Sequence, residues 1–237
     1  MKIIIDSQQN GQSGENQKID LIYTINNQND EYIIYPRDIS YYVGYYNITT
    51  ALGNNIVTYF NGTSTVNLTL PDGLYSLSSY FSTINQTNIQ FDYIEPTGKV
   101  KISVTSPYTF SITNSNKTLL GFSATQVINT SATSDSPVNF LPHKMLYIHL
   151  KQINSSNNYF NGTPNDILAR VPVTLDSFGT LVQYRFELPY CSSLENTTIS
   201  KLDIYITDEN GNVIGFNGMP VFYTLEVDSK CKFISYK

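Results

Sequence analysis

The sequence contains few of the residues that most often carry chemistry or covalent cross-links. Its 237 residues include two cysteines, two histidines and no tryptophan. Cys191 and Cys231 do not make a disulfide framework, and whether they pair stays open. A phosphate-binding glycine loop, a GxSxG elbow and a clustered Cys/His ligand set are also missing from the sequence. Together these absences argue against an enzyme, and we predict no catalytic, cofactor-binding or metal-binding residue.

Charge is also scarce. Asp, Glu, Lys and Arg make up 14% of the chain, whereas about 25% is typical of soluble proteins. The net charge of −5 and the scattered lysines and arginines provide no basic stripe for a phosphate backbone. Direct nucleic-acid binding is therefore disfavoured. Asn, Ser, Thr and Tyr supply the polarity instead, which suits contacts with proteins or sugars, although an AT-rich genome favours the same residues.

Long apolar runs are missing as well. No run approaches the roughly 18 residues that span a bilayer, and the opening MKIIID is shorter than the apolar core of a signal peptide, about 7–15 residues. We therefore expect a chain that has no transmembrane segment and is not secreted.

What the sequence has in abundance is aromatic and β-branched residues in short alternating runs. It contains 19 Tyr and 12 Phe, and such residues suit the half-buried surface of a sheet. The clearest runs are residues 55–60, 66–70, 89–94, 100–105, 108–113, 145–153, 169–175, 181–188, 201–207 and 220–227. The spacing between turn signals along the chain is mostly about 8–20 residues, which predicts an all-β fold, a sandwich or a jelly roll.

One segment has a helical pattern instead. Within residues 75–85 (YSLSSYFSTIN) the apolar residues recur at helical spacing, and Ser76 can cap the first turn. This pattern predicts one short helix packed on the sandwich. A strand stays the alternative, because Tyr, Phe, Thr and Ile are weak helix formers.

The strongest turn signal is DENGN at residues 208–212. Its Asn210-Gly211 pair predicts a type I′ hairpin turn, in which both central residues have positive φ.

Three polar stretches predict long loops, at residues 7–16, 124–138 and 154–165. No shift in composition marks a linker. The sequence therefore predicts an N-terminal arm or edge strand at residues 1–19, followed by a single jelly-roll domain at residues 20–237.

Two groups of residues are candidates for metal binding, and neither pattern is convincing. His143 and His149 would share one face of a strand, but about 20 Å apart at about 3.3 Å per residue, too far for one ion. We interpret both as ordinary surface or rim histidines. Asp208, Asn210 and Asn212 alternate as in a calcium loop, but Met219 stands where that loop needs a glutamate, so a turn explains them better.

Blocks of strand and turn residues carry a family resemblance. They are IIIDS and IDLIYTI (residues 3–7 and 19–25), YNITTALGNNI and LPDGLY (46–56 and 70–75), FSITNSNKTLLGF (110–122), and residues 168–188 and 202–227. In this order, over most of the chain, the blocks resemble the minor capsid (penton) proteins of Polinton/Maverick elements, virophages and related double-stranded DNA viruses.

The resemblance implies a structural virion protein rather than an enzyme. Such a protein is a single jelly roll that assembles side to side at capsid vertices, as a homopentamer in contact with the major capsid protein. It needs no cofactor. Its expected location is the virion capsid, after synthesis in the host cytoplasm.

Tyr41, Tyr42, Tyr45 and Tyr46 (YYVGYY) are the candidate subunit contacts, because tyrosine combines a large contact area with a polar tip. The alternative is that alternate members face the core as ordinary strand residues. Two other classes stay open. One is a receptor- or glycan-binding β-sandwich of the fibre-head type, and the other is a cupin-like jelly-roll enzyme, for which two histidines supply few ligands.

Overall fold

The structure is a computed structural model that describes residues 2–6, 16–27, 32–141, 143–153, 159–160, 163–164, 166–173, 178–187, 191–194 and 197–229. The chain forms two compact units, the first made of Met1–Tyr45 and His143–Lys237 and the second of Tyr46–Pro142. The second unit is thus an insertion in the sequence of the first. The boundary between an arm at residues 1–19 and a domain at 20–237 stays a prediction.

Strands dominate the described residues. In chain order they are β1 (Lys2–Asp6), β2 (Asn16–Asn26), β3 (Tyr32–Tyr42), β4 (Ile56–Phe60), β5 (Thr65–Thr69), β6 (Ile89–Ile94), β7 (Lys99–Val104), β8 (Thr109–Ile112), β9 (Gln126–Ile128), β10 (Ser131–Thr133), β11 (Met145–Leu150), β12 (Tyr159–Phe160), β13 (Thr163–Pro164), β14 (Ile167–Pro172), β15 (Leu181–Arg185), β16 (Ser192–Ser193), β17 (Thr198–Thr207) and β18 (Val221–Ser229). The helices are α1 (Leu77–Ile84), α2 (Lys117–Leu120) and a 3₁₀ turn at Glu95–Thr97.

The first unit has the strand order of a jelly roll. Its first sheet runs β1-β18-β3-β15, with β16 also paired to β3, and its second sheet runs β14-β11-β17-β2. Counted along the chain, these eight long strands stand in the orders 1-8-3-6 and 5-4-7-2. All their pairings are antiparallel. The prediction of an all-β jelly roll is therefore confirmed.

The core of the first unit follows the two-residue period of its strands. Leu202, Ile204 and Ile206 of β17 are at most 1% exposed, and the residues between them are more exposed. β3 contributes Ile34 and Ile39, both fully buried. Each buried aliphatic side chain of this size stabilises the fold by about 1.5–3 kcal/mol. The alternation therefore determines which side chains face outward on each sheet.

The second unit is a smaller β structure with its own core. Its sheets run β5-β4-β8-β9 and β10-β7-β6. Their buried side chains include Val57, Phe110, Ile102 and Phe91, and Phe91 packs edge to face on Phe110 at 5.0 Å between ring centroids. Strands β9 and β10 lie where the sequence predicts a loop at residues 124–138. That prediction is wrong, because each short strand pairs with a longer one, β8 or β7.

Helix α1 forms where the helical pattern predicts it. The Ser76 side chain accepts a hydrogen bond from the Ser79 N–H at 3.1 Å, the bond of an N-cap. Tyr80, Phe81 and Ile84 are its buried residues. Apolar spacing and the cap therefore outweigh the weak helix propensity of these residues.

The turn at residues 208–212 is not of type I′, and one isolated bridge follows it in place of the second strand of a hairpin. Thr207 pairs with Val213, and the Gly211 N–H donates to the Asp208 carbonyl at 3.1 Å. Gly211 has φ +85°, whereas Asn210 does not have positive φ. The reason is the Asp208 carboxylate, which accepts hydrogen bonds from the N–H groups of Asn210 and Asn212, each at 2.8 Å. Only the glycine then needs a left-handed conformation.

Two other loop predictions fall mainly outside the described residues. Residues 7–15 and most of residues 154–165 are not described. The described parts of the second stretch are β12 and β13, which form a two-stranded ladder. Cys231 also lies outside the described residues.

Gly121, in the LLGF block, is expected to be intolerant of any side chain. It has φ +79°, and a Cβ there would lie 2.2 Å from the Ser136 carbonyl oxygen. Gly53 has a similar φ of +64° with nothing within 4 Å of a Cβ. We expect Gly53→Ala to cost about 1–2 kcal/mol, the strain of the left-handed region alone. Gly121→Ala should cost at least about 2 kcal/mol more, because backbone must move. Urea unfolding of both variants measures the difference, and equal losses would contradict the packing argument.

Candidate functional site

The structure separates the four candidate contact tyrosines. Tyr41 is 0% exposed and Tyr45 is 2% exposed, and both rings pack edge to face on Phe216, at 5.9 and 6.3 Å. These two side chains lie in the interior, as the alternative interpretation expects. Tyr42 and Tyr46 are half-buried. A role in subunit contacts stays a prediction, and only Tyr42 and Tyr46 retain surface for it.

Tyr42 belongs to the outward face of the first sheet. We call this surface the first-sheet face, and it consists of Lys2, Ile4, Asp38, Ser40, Tyr42, Leu181, Gln183, Arg185, Phe222, Thr224 and Glu226. The strand register places Tyr42 beside Leu181 and places Ile4 beside Thr224. Ile4 is 73% exposed and Leu181 is 52% exposed. The first-sheet face thus presents apolar side chains between charged ones.

A groove of about 580 Å³ crosses this face. It is lined by Lys2, Arg37, Asp38, Gln183, Arg185, Thr224 and Glu226. Arg37 Nη2 lies 2.9 Å from Glu226 Oε2, and the guanidinium carbon lies 5.3 Å from the centre of the Tyr35 ring. The Tyr35 hydroxyl donates to Glu226 at 2.8 Å and to Asp228 at 3.1 Å. These contacts fix one wall of the groove.

The hydrogen bonds also fix the protonation states in this wall. Hydrogen bonds from Arg37 and Tyr35 hold the pKa of Glu226 below its ordinary value. Burial and the hydrogen bonds to Glu226 and Asp228 raise the pKa of Tyr35. Tyr35 therefore stays a donor and Glu226 stays an anion at neutral pH. Lys2 and Arg185 make no ion pair with any other described residue, so their charges are available to a partner.

A second polar cluster lies on the outward side of the second sheet. His149 Nδ1 lies 2.7 Å from Asp166 Oδ1, and His149 Nε2 lies 2.9 Å from the Thr207 hydroxyl. The Tyr205 hydroxyl donates to Asp166 Oδ2 at 2.8 Å. The rings of His149 and Tyr205 stack at 4.4 Å. His149 is only 6% exposed, so its interpretation as a surface histidine is wrong. Alternation along β11 turns the His149 ring away from the core, and Asp166 and Tyr205 cover it there.

The carboxylate of Asp166 is the anchor of this cluster. Burial on its own raises the Asp166 pKa, but hydrogen bonds from His149 and Tyr205 outweigh it and leave the pKa below its ordinary value. Burial and the bond to Asp166 raise the pKa of Tyr205. Asp166 is thus an anion that accepts from both neighbours, which requires a proton on His149 Nδ1.

The arrangement of Thr207, His149 and Asp166 has the connectivity of a catalytic triad, but access to it is blocked. Thr207 is 4% exposed, and the single proton of its hydroxyl has a second acceptor in reach, the Asp208 carbonyl oxygen at 3.2 Å. A nucleophile must reach its substrate, and this hydroxyl is enclosed. The geometry instead supports a structural role, in which hydrogen bonds join β11, β17 and the start of β14. No group of three or more potential metal ligands occurs among the residues that the structure describes.

His143 is part of a separate contact. Its Nδ1 lies 3.8 Å from Asp208 Oδ2, and its ring packs edge to face on Tyr45 at 6.0 Å. Burial lowers the pKa of His143, against the opposing influence of Asp208 and Glu209. The Asp208 carboxylate holds the turn at residues 208–212, as the turn interpretation of these residues expects.

Comparison with solved structures shows that the fold is known. The chain is similar to the mavirus penton protein, with a TM-score of 0.55 and 11% identity over 97% of this chain and 100% of that one. It is also similar to a chain of the Sputnik virophage, with a TM-score of 0.51 and 12% identity over 99% of both chains. At this identity the likeness shows a common fold across nearly the whole chain.

Sequence comparisons find nothing. No family model and no curated protein matches the chain. Within the described part of the chain, no helix is long and apolar enough to cross a membrane.

Sequence reasoning misses most of the first-sheet face. Tyr42 is among the candidates, but Ile4, Leu181 and Arg185 give no signal, because they come from distant segments that only the register joins. The cluster around His149 is missed for the same reason, since Asp166 follows an expected loop and only the fold brings it to His149.

Asp166→Asn should destabilise the first unit in a pH-dependent way. The folded pKa of Asp166 is lower than its ordinary value of 3.8. The carboxylate therefore contributes its full stability above about pH 4 and loses it as the pH falls below that value. We expect the variant to lose about 2 kcal/mol at pH 7 and much less at about pH 3. Urea unfolding at both values measures this.

The control is Asp20→Asn, whose partner Lys201 lies 3.2 Å away in an exposed pair. Such pairs contribute at most about 1 kcal/mol. A loss for Asp166→Asn that does not change with pH, or that matches the control, would contradict the assigned role of the carboxylate.

Proposed function

We propose that this chain is a structural virion protein, a minor capsid or penton jelly roll that assembles by side-to-side contacts at capsid vertices. The observation that carries the proposal is the eight-strand jelly-roll order of the first unit within a fold that matches the mavirus penton protein over 97% of this chain. The ordered resemblance of the sequence blocks supports the same function independently.

The first-sheet face is the surface that we assign to one side of the contact between neighbouring copies. Ile4 and Leu181 supply exposed apolar area, while Tyr42 and Phe222 are half-buried beside them. Lys2 and Arg185 add cations that make no ion pair with a described residue, although the register places them beside Glu226 and Asp38. Head-to-tail contacts between two different faces close into a ring when the rotation matches the number of copies. A homopentamer that contacts the major capsid protein is the assembly we propose.

The proposed function requires no reactive side chain. The cluster around His149 has acid–base groups, but its hydroxyl is enclosed and it joins strands of one sheet. A virion location and synthesis in the host cytoplasm are parts of the proposal.

Assembly with the major capsid protein of the same genome tests the function. Co-expression of the two proteins, followed by cryo-electron microscopy of the particles, should show density for this chain at the five-fold vertices. Particles formed without this chain should have open vertices. Closed vertices in the absence of the chain, or a chain that is excluded from particles, would refute the proposal.

Leu181→Lys tests the contact surface within that assembly. A buried lysine at a subunit contact should weaken ring formation about tenfold or more, because its charge loses water. Val213→Lys is the matched control, since Val213 is 49% exposed and lies outside the first-sheet face. Native mass spectrometry of each variant measures the ring fraction, and thermal unfolding checks the fold. Equal ring fractions for the two variants would remove the first-sheet face from the contact.

A further inference from the structure

One outward sheet surface of the second unit carries no charge. We call it the uncharged face, and it consists of Ile56, Thr58, Phe60, Thr65, Asn67, Thr69, Thr109, Ser111 and Val127. The register of β5-β4-β8-β9 joins these residues in rows, for example Thr58 beside Asn67 and Ser111, and Ser111 beside Val127. The residues between them, such as Val57 and Phe110, are 1% exposed and form the core.

The lack of charge is a local property of this face. In the same unit, the outward face of β10-β7-β6 carries Asp92 opposite Lys101, and Lys99 as well. In the first unit, the first-sheet face carries charged residues, and the second sheet carries Lys201 and Asp203. Charged side chains are the usual means of keeping an exposed sheet face hydrated and unpaired. A face without them is suited to a partner that has no charge.

The polar groups of the uncharged face are available to a ligand. Thr58 donates to Asn67 Oδ1 at 2.8 Å, and this is the one hydrogen bond between side chains of the face. The hydroxyls of Thr65, Thr69, Thr109 and Ser111 make no side-chain hydrogen bond to any other described residue. Each hydroxyl has one donor and two acceptor positions. The face thus offers a dense array of neutral hydrogen-bonding groups.

Apolar groups lie beside this array. Val127 is 59% exposed and Ile56 is 42% exposed. Phe60 is half-buried in the same face. A sugar ring needs both kinds of contact, because it presents hydroxyls at its rim and C–H groups on its faces. A protein partner fits the face less well, since Ser, Thr and Val are under-represented among the hot-spot residues that carry most of the binding energy of protein interfaces.

We propose that the uncharged face binds a neutral oligosaccharide. The inference goes beyond the proposed function and does not depend on it, because it concerns the second unit and a different partner. Hydrogen bonds from hydroxyl and amide groups orient the sugar, and Ile56, Phe60 and Val127 contact its C–H groups. A single site of this flat kind is weak, and the many copies of a sugar on an array surface raise the overall affinity.

A glycan array that contains neutral and sialylated oligosaccharides tests the proposal. The full-length chain, produced in bacteria and fluorescently labelled, should bind neutral members of the array. Binding should be equal at about 50 mM and about 500 mM salt, because no charged side chain takes part. Binding confined to sialylated glycans, or lost at the higher salt, would overturn the proposal, as would an array without any signal.

Asn67→Lys places a charge within the face and should weaken binding about tenfold or more. Gln90→Lys is the matched control, because Gln90 is an exposed amide on β6 in the other sheet of the same unit. Thr69→Lys repeats the test at a second exposed position, in case the loss of the Thr58 bond unfolds the first variant. Equal binding by Gln90→Lys and the folded face variant would refute the site.

The capsid experiment keeps the two proposals separate. Face variants that lose sugar binding should still enter particles at the normal level. If the wild-type chain binds neutral sugars but stays out of particles, the proposed function fails and the sugar site stands.

Discussion

The pairing of β18 between β1 and β3 is the constraint on which the rest of the first unit depends. It joins residues 2–6 to residues 222–226 across nearly the whole chain, and it extends over nine residues on the β3 side. Closing such a loop costs entropy that grows slowly with loop length, so a long insertion between β3 and β11 is tolerated. The second unit fits that place because it buries its own apolar residues. The same pairing brings Lys2, Glu226 and Tyr35 into one row and so builds the wall of the groove.

In the first unit, hydrogen bonds stabilise a polar side chain that is buried outside the apolar core. Strand β11 turns His149 away from the core, yet the ring is almost fully buried. A buried imidazole is costly unless both nitrogens are paired, and Asp166 and Thr207 pair them. The cluster has the connectivity of a catalytic triad, but its hydroxyl is not accessible to a substrate. Connectivity of acid–base groups therefore says little about catalysis until the exposure of the nucleophile is known.

The sequence predicts the elements that depend on neighbouring residues. Alternation locates the ten expected strands, and Ser76 with its apolar spacing locates α1. The predictions fail mainly where residues distant in sequence determine the local structure. Residues 126–128 and 131–133 become strands because β8 and β7 offer edges to them. The φ of Asn210 is a local exception, because the Asp208 carboxylate that holds the turn stands only two residues before it. The burial of His149 and the composition of the first-sheet face both depend on register, which the alternation alone leaves open.

The sequence blocks that resemble penton proteins include positions where contacts with the backbone restrict which residue can occur. Asn47 accepts from the Tyr75 N–H at 2.7 Å and donates to the Tyr75 carbonyl at 2.8 Å, which ties the YNI block to LPDGLY. Gly121 in LLGF has no room for a Cβ, and Asp208 holds the D-x-x-G turn. Surfaces face no such restriction, because an outward side chain needs only to match its partner. A pattern of this kind therefore identifies a fold. The partners of the first-sheet face and of the uncharged face must instead be inferred from the side chains that the strand register brings together.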